Sequence, residues 1–236
     1  MTWSIIARDS TAGQIGIVVA TRFFAVGALV PHIAAGRGGI ATQALVNPYY
    51  GIDGLLLLRE GRDAGEIVRT LLAADEGRDS RQLHVLDAGG RIACHTGRDC
   101  VDWCGHLEGD GFSIAGNMLA CARVLEETAK AYLAGRRLPL ALRLLAAMRS
   151  GEAAGGDKRG KQSAALLIHG EEEWPELDLR VDDHADPLAE LERLEQVSRE
   201  RWVHFREFLP SRQNPAGVTD RSIIDAAVVA ATTVRK

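Results

Sequence analysis

The sequence predicts a soluble α+β fold in which antiparallel sheets carry helices on their outer faces. Two hairpin signatures point to it: Thr2–Arg8 and Gln14–Ala20 flank Asp9-Ser10-Thr11-Ala12-Gly13, and Gln82–Leu86 and Arg91–His95 flank Asp87-Ala88-Gly89-Gly90. Strands bunch at the start, helices are inserted, and strands return, without the strict alternation of a parallel doubly wound sheet. In the second strand Ile15, Ile17 and Val19 fall on one face and Gly16, Val18 and Ala20 on the other. Both faces are apolar, so both sides of that sheet are expected to be covered.

The remaining elements follow in order. After a glycine-punctuated stretch, Gly39–Val46 reads as a third strand closed by Asn47-Pro48. Two helices come next; Asp63 is the expected N-cap of the second, with Glu66 three residues on and Ile67, Thr70, Leu71 and Ala74 as its stripe. Phe112–Ala115 is a short strand. Leu119–Met148 is helical, interrupted near Gly135, with Pro139 suited to an opening turn and Gly151 to its end. Ser163–Ile168 and Leu177–Val181 are the last strands. Asp186-Pro187 then opens a helix whose apolar face is Leu188, Leu191, Leu194, Trp202, Phe205 and Phe208.

At 236 residues and 46% hydrophobic content, the chain can bury one sizeable core. We expect a single domain over residues 1–210 and a C-terminal tail, 211–236, packed on the domain or on a partner subunit. The tail's Ile223, Ile224, Ala226, Ala227, Val228 and Val229 favour a homo-oligomer, a dimer in the simplest case. A net charge of -4, with both signs dispersed, offers no field for nucleic acid. The apolar runs Ile15–Ala20 and Leu55–Leu58 are far shorter than the roughly 20 residues of a membrane span. Met1-Thr2-Trp3-Ser4 lacks a signal peptide's basic region, so a cytoplasmic protein with four reduced cysteines is expected. Gly36-Arg37-Gly38-Gly39 and Gly155-Gly156-Asp157 lack dinucleotide or P-loop spacing, and no cofactor is expected.

Thr2 follows Met1, and a small residue in that place permits removal of the methionine. A free Thr2 would carry a hydroxyl nucleophile and its own base, an α-amine of pKa about 7.7–8.

Several segments carry a family resemblance. Thr2-Trp3-Ser4-Ile5-Ile6-Ala7-Arg8-Asp9, Gly16-Ile17-Val18-Val19-Ala20-Thr21-Arg22-Phe23, Ala41-Thr42-Gln43-Ala44, Gly116-Asn117, Gly155-Gly156-Asp157-Lys158-Arg159-Gly160-Lys161-Gln162-Ser163 and Leu179-Arg180-Val181-Asp182-Asp183-His184 resemble the domain-of-unknown-function 1028 family, from Thr2 to about Leu209. The resemblance implies the four-layer αββα sandwich of the N-terminal-nucleophile hydrolases, which include proteasome β-subunits, penicillin acylase and glycosylasparaginase. Those enzymes cleave amide bonds with a Thr, Ser or Cys at the mature N-terminus. The 1028 family itself has no settled substrate, so the implication concerns reaction class.

Around Thr2, Ser4 shares its strand face by the two-residue period and supplies a second hydroxyl, or fills a core edge. Asn117 and Gln43 carry amide donors suited to an oxyanion, or to turn bonds. Arg22 could orient a carboxylate through its planar fork, or form a surface ion pair. Asp157, Arg159 and Gln162 lie in a glycine-flanked loop before a strand. Asp182-Asp183-His184 reads better as a solvated strand end feeding the Asp186 cap than as a metal or acid/base site. Cys94, Cys100 and Cys104 with His95 and His106 have ligand chemistry but no C-x-x-C knuckle, so the spacing predicts no metal. The leading expectation is a hydrolase of a small amide-containing molecule; the alternative is a non-catalytic small-ligand binding or scaffold protein on the same fold.

Overall fold

A computed structural model describes residues 2–233. The first hairpin is β1 (Thr2–Asp9) and β2 (Gln14–Thr21), paired antiparallel with Thr2 opposite Thr21. Short strands β3 (Pro31–Ala34) and β4 (Gly38–Ala44) follow, then helices α1 (Pro48–Arg59) and α2 (Ala64–Ala73). Next come β5 (Arg81–Asp87), β6 (Ile92–Thr96), β7 (Gly105–Gly109) and β8 (Phe112–Asn117). Helices α3 (Arg123–Ala134) and α4 (Leu140–Ala153) lead into β9 (Ser163–His169), β10 (Leu177–Val181) and α5 (Pro187–Ser198). The strands form two antiparallel sheets, one ordered β10-β9-β2-β1-β8-β7 and the other β3-β4-β5-β6.

Strand alternation decides what each side of β1 meets. Ile6, with Ile15, Ile17 and Val19 of β2, packs into a buried cluster with Ile33, Ala41 and Leu86 of the second sheet. Thr2 and Ser4 share the parity of Ile6 and therefore face the same way. Trp3, on the other face, lies against α4: a Cβ on Gly151 would come within 3.2 Å of its Nε1. Helices α1 and α2 pack on the second sheet, α3 and α4 on the first. Each fully buried Ile or Leu of such a core contributes about 1.5–3 kcal/mol.

Both hairpins, the break at Gly135 and the Asp63 cap match the expected elements; Asp63 Oδ1 accepts from the Glu66 N–H at 2.8 Å. Several elements differ. β3 and β7 were not expected, because each is a short edge strand, one opening on a proline and one bounded by glycines. The buried stripe of α2 is Ala64, Ile67, Val68 and Leu71, whereas Thr70 and Ala74 are exposed. Gly151 does not end α4, which runs on to Ala153; the glycine permits close helix approach, since a Cβ there would meet Thr128 Oγ1 at 2.2 Å. The helix expected to reach Phe208 stops at Ser198, whose hydroxyl donates to the Glu195 carbonyl at 2.6 Å.

The chain divides into two compact units, Met1–Leu191 and Glu192–Lys236. In the second, α6 (Trp202–Phe205) packs on α7 (Arg221–Thr233), and Arg201 pairs with Asp225 at 2.7 Å. Along α7, Ile224 and Val228 are buried while Ile223 and Val229 are exposed. No described helix is long and apolar enough to cross a membrane.

Candidate active site

Thr2 opens one of the two central strands of the larger sheet, paired to Thr21 of β2 on one side and Asn117 of β8 on the other. Its Oγ1 lies 3.0 Å from Thr21 Oγ1. Both threonines border a cavity of about 310 Å³ whose walls also include Val26, Gln43, Met118 and Arg159. The walls are largely apolar, and Arg159 is the one titratable side chain among the described lining residues.

Backbone strain concentrates here. Three described non-glycine residues have positive φ: Ala44 at 69°, Met118 at 54° and Ala25 at 52°. Ala44 and Met118 line the cavity, and Ala25 precedes the lining residue Val26. Each such conformation costs on the order of 1–3 kcal/mol and persists only where neighbours fix it. The fixing bonds are present: Met118 N–H donates to the Val101 carbonyl at 2.8 Å, Ala25 N–H to Asp182 at 3.0 Å, and Leu45 N–H to Ser80 at 3.2 Å. Arg81 donates to the Leu45 carbonyl and, through Nε at 3.0 Å, to Asp75. Burial pushes the Asp75 carboxyl upward, but donors from Arg81, Tyr50, Gly77 and Asn47 outweigh it and hold the group well below the usual carboxylate range.

Behind Thr2 lies a buried amide cluster. Gln82 Oε1 accepts from Gln43 Nε2 at 2.8 Å and from Asn117 Nδ2 at 3.0 Å. Gln82 Nε2 lies within reach of the carbonyls of Gly116 at 2.9 Å and Gly105 at 3.0 Å. Gln43 Nε2 also reaches the Ala115 carbonyl at 3.1 Å. The donors of Gln43 and Asn117 are thus engaged inside the protein, and Asn117 does not border the cavity.

Ser4 is fully buried and away from the cavity walls. Its hydroxyl donates to Gln43 Oε1 at 2.7 Å, so the contact with His84 Nε2 at 2.8 Å is a donation from the ring. His84 Nδ1 then accepts from Ser113 Oγ at 2.7 Å. This sequence of donors requires a neutral imidazole, and burial, with a smaller effect from His106, pushes the His84 pKa down to about 3. Gln82, His84 and Thr21 were missed as site residues. The signal for two of them was present, since Gln82 and His84 alternate with the apolar Leu83 and Val85 in the middle of a strand.

The loop residues divide. Asp157 accepts from the Arg22 N–H at 3.0 Å and the Arg159 N–H at 2.7 Å, tying the loop to the end of β2. Arg159 borders the cavity, whereas the Arg22 guanidinium bonds the Lys161 carbonyl at 3.2 Å and does not line it. Gln162 bonds Asp183 at 3.1 Å and is likewise outside the lining. Asp182 pairs with Arg180 at 3.0 Å, His184 Nδ1 accepts from the Asp186 N–H at 3.0 Å, and Asp186 accepts from the Ala189 N–H at 3.1 Å: a strand end leading into a helix cap. All four cysteines are free. Met1 lies outside the described residues.

The protein thus combines a six-stranded and a four-stranded antiparallel sheet with a cavity lined by two threonines where β1 begins. The crystal structure of protein SPO2555 from Silicibacter pomeroyi, assigned to DUF1028, is similar at a TM-score of 0.85 and 32% identity, over 93% of this chain and 96% of that one. Residues 2–191 match the family of unknown function DUF1028, and the chain belongs to that family. The matched span ends where the first compact unit ends, short of the Leu209 expected from the motifs. A distant likeness is found to Anbu, an ancestral β-subunit from Yersinia bercovieri, at a TM-score of 0.40 and 13% identity over 83% of this chain and 96% of that one. No curated protein matches the sequence.

Proposed function

We propose that the chain is an N-terminal-nucleophile hydrolase of amide bonds in a small molecule, built on a four-layer αββα sandwich. The observation that carries this reading is Thr2, a lining residue of a cavity of about 310 Å³ and the first residue of one of the two central strands of the larger sheet. A cavity of that size is at the small end of ligand sites, which run from about 300 to 1,000 Å³, and suits a compact acyl group among Val26, Leu29 and Val30.

The chemistry begins with removal of Met1. The Thr2 α-amine takes the hydroxyl proton as Oγ1 attacks the acyl carbon, and returns it to the departing amine; water then hydrolyses the acyl-enzyme. Thr21 orients the nucleophile through the 3.0 Å contact. With the side-chain donors of Gln43 and Asn117 engaged elsewhere, stabilisation of the oxyanion falls to main-chain N–H groups. Arg159 supplies positive charge for an acidic group on the substrate. Strain at Ala44 and Met118 supports the reading, because such outliers gather at preorganised sites.

A second reading, small-ligand binding without chemistry, draws on the absence of carboxylate, lysine and histidine from the described lining residues. Treatment with a β-lactone, a strained acyl donor, separates the two. A covalent adduct mapped to Thr2 by mass spectrometry supports the hydrolase. A protein with free Thr2 that takes up no adduct, yet melts higher with a small ligand, supports the binding protein.

A further inference from the structure

Strands β6 and β7 are the edges of their respective sheets, and they face one another. On β6, Cys94 and Thr96 fall on one face by the two-residue period, as do His106 and Glu108 on β7. Cys94 Sγ, a ring nitrogen of His106 and a carboxylate oxygen of Glu108 all lie within 4.8 Å of one another. We propose that Cys94, His106 and Glu108 form a binding site for one divalent transition-metal ion, Zn2+ being the best chemical match, with the fourth position open to water.

The donor set decides the metal class. A thiolate, an imidazole and a carboxylate together suit borderline-soft zinc, whereas Mg2+ and Ca2+ take oxygen ligands. Zinc bonds of about 2.0–2.3 Å place tetrahedral donors about 3.3–3.8 Å apart, so from separations within 4.8 Å closure asks for shortening by about 1.5 Å or less. His106 and Glu108 are exposed side chains that can make that movement, while the partly buried Cys94 provides the fixed point. Thr96 Oγ1 lies 3.0 Å from His106 Nδ1, the kind of hydrogen bond that holds a ligating imidazole in place.

The position gives the ion two consequences. It bridges the two sheets at an edge where no strand hydrogen bonds join them. Cys94 and Glu108 are also the cross-strand neighbours of His84 and Ser113, so the site caps the outer end of the buried line Gln43, Ser4, His84, Ser113 that starts at the cavity wall. The ion is proposed as a clip between the sheets. Neither the proposal nor its test depends on Thr2 being a nucleophile.

The experiment is calorimetric titration of the chelator-stripped full chain with ZnCl2, together with Co2+ substitution read by absorption. Expected are one ion per chain, a sulfur-to-cobalt charge-transfer band, and a higher melting temperature with metal. Cys94→Ser should remove the band, and His106→Ala and the exposed Glu108→Gln should each weaken binding by about tenfold or more. Circular dichroism identifies any variant that fails to fold, and Glu108→Gln, at the surface, serves as the folded reference. Absence of saturable one-to-one binding by the wild type overturns the proposal. So does binding that survives all three substitutions, or that is lost in Cys100→Ser or Cys104→Ser instead.

Discussion

The hydroxyls of Thr2 and Thr21 lie 3.0 Å apart across the β1–β2 hairpin, and both residues line one cavity. Register makes this possible, because Thr2 pairs with Thr21 at the open end of the hairpin while Asp9 pairs with Gln14 at its turn. On the proposed mechanism the two hydroxyls have different duties. Thr2→Ala should lower turnover and β-lactone acylation by on the order of 10³ or more, as removal of a nucleophile does. Thr21→Val should lower them by about 5- to 10-fold, the worth of one hydrogen bond. Each variant should unfold within about 1–2 kcal/mol of wild type. Full activity in Thr2→Ala, on a substrate the wild type turns over, rejects the nucleophile.

The base of the mechanism exists only if Met1 is removed. Intact-mass analysis of the protein made in bacteria should show a chain beginning at Thr2, and kcat/KM should rise with pH through an ionisation at about 7.7–8. The sign follows from the chemistry, since only the neutral amine accepts a proton. A pH profile flat from 6 to 9 counts against the α-amine.

Gln82 joins the two side-chain amides flanking Thr2, its Oε1 accepting from both Gln43 and Asn117. Gln82→Leu removes the acceptor that those buried donors share, and we expect a loss of about 2–4 kcal/mol in urea unfolding. A change below about 0.5 kcal/mol would show that the cluster re-pairs.

His84 is held neutral with a pKa of about 3, against 6.5 for an unburied histidine. Between those values the unfolded chain binds the extra proton, so stability fully present above about pH 6.5 is lost as pH falls toward 3, at up to about 1.4 kcal/mol per unit. His32 and His169 are lowered by burial and act with the same sign. Asp75 and Asp87, held below the usual carboxylate value, lose their contribution only as pH falls below about 4. Urea titrations from pH 4.5 to 7 should therefore show a slope that is reduced, and not abolished, in His84→Gln. An unchanged slope would mean that His84 takes up its proton in the folded state.

The sequence by itself determined the two hairpins, the caps at Asp63 and Asp186, the antiparallel sheets with helices and the family, because each rests on local periodicity, turn chemistry or a run of adjacent residues. Thr2 was legible for the same reason: its place beside Met1 is its signal. What lay beyond local reading was which polar residues meet across the two sheets. Gln43, Gln82, His84, Ser113 and Asn117 come from strands far apart in the chain, and side-chain alternation turns them toward one another only once the sheets stack. Tertiary structure engaged the Gln43 and Asn117 donors in that cluster, carried Arg159 to the cavity wall and left Arg22 off it. Cys94 and His106 were set aside for want of a C-x-x-C knuckle, yet the packing of two edge strands brings them together with Glu108. Ligand spacing in the chain reports a site held in one loop, and donors on two facing strands have no such spacing to report.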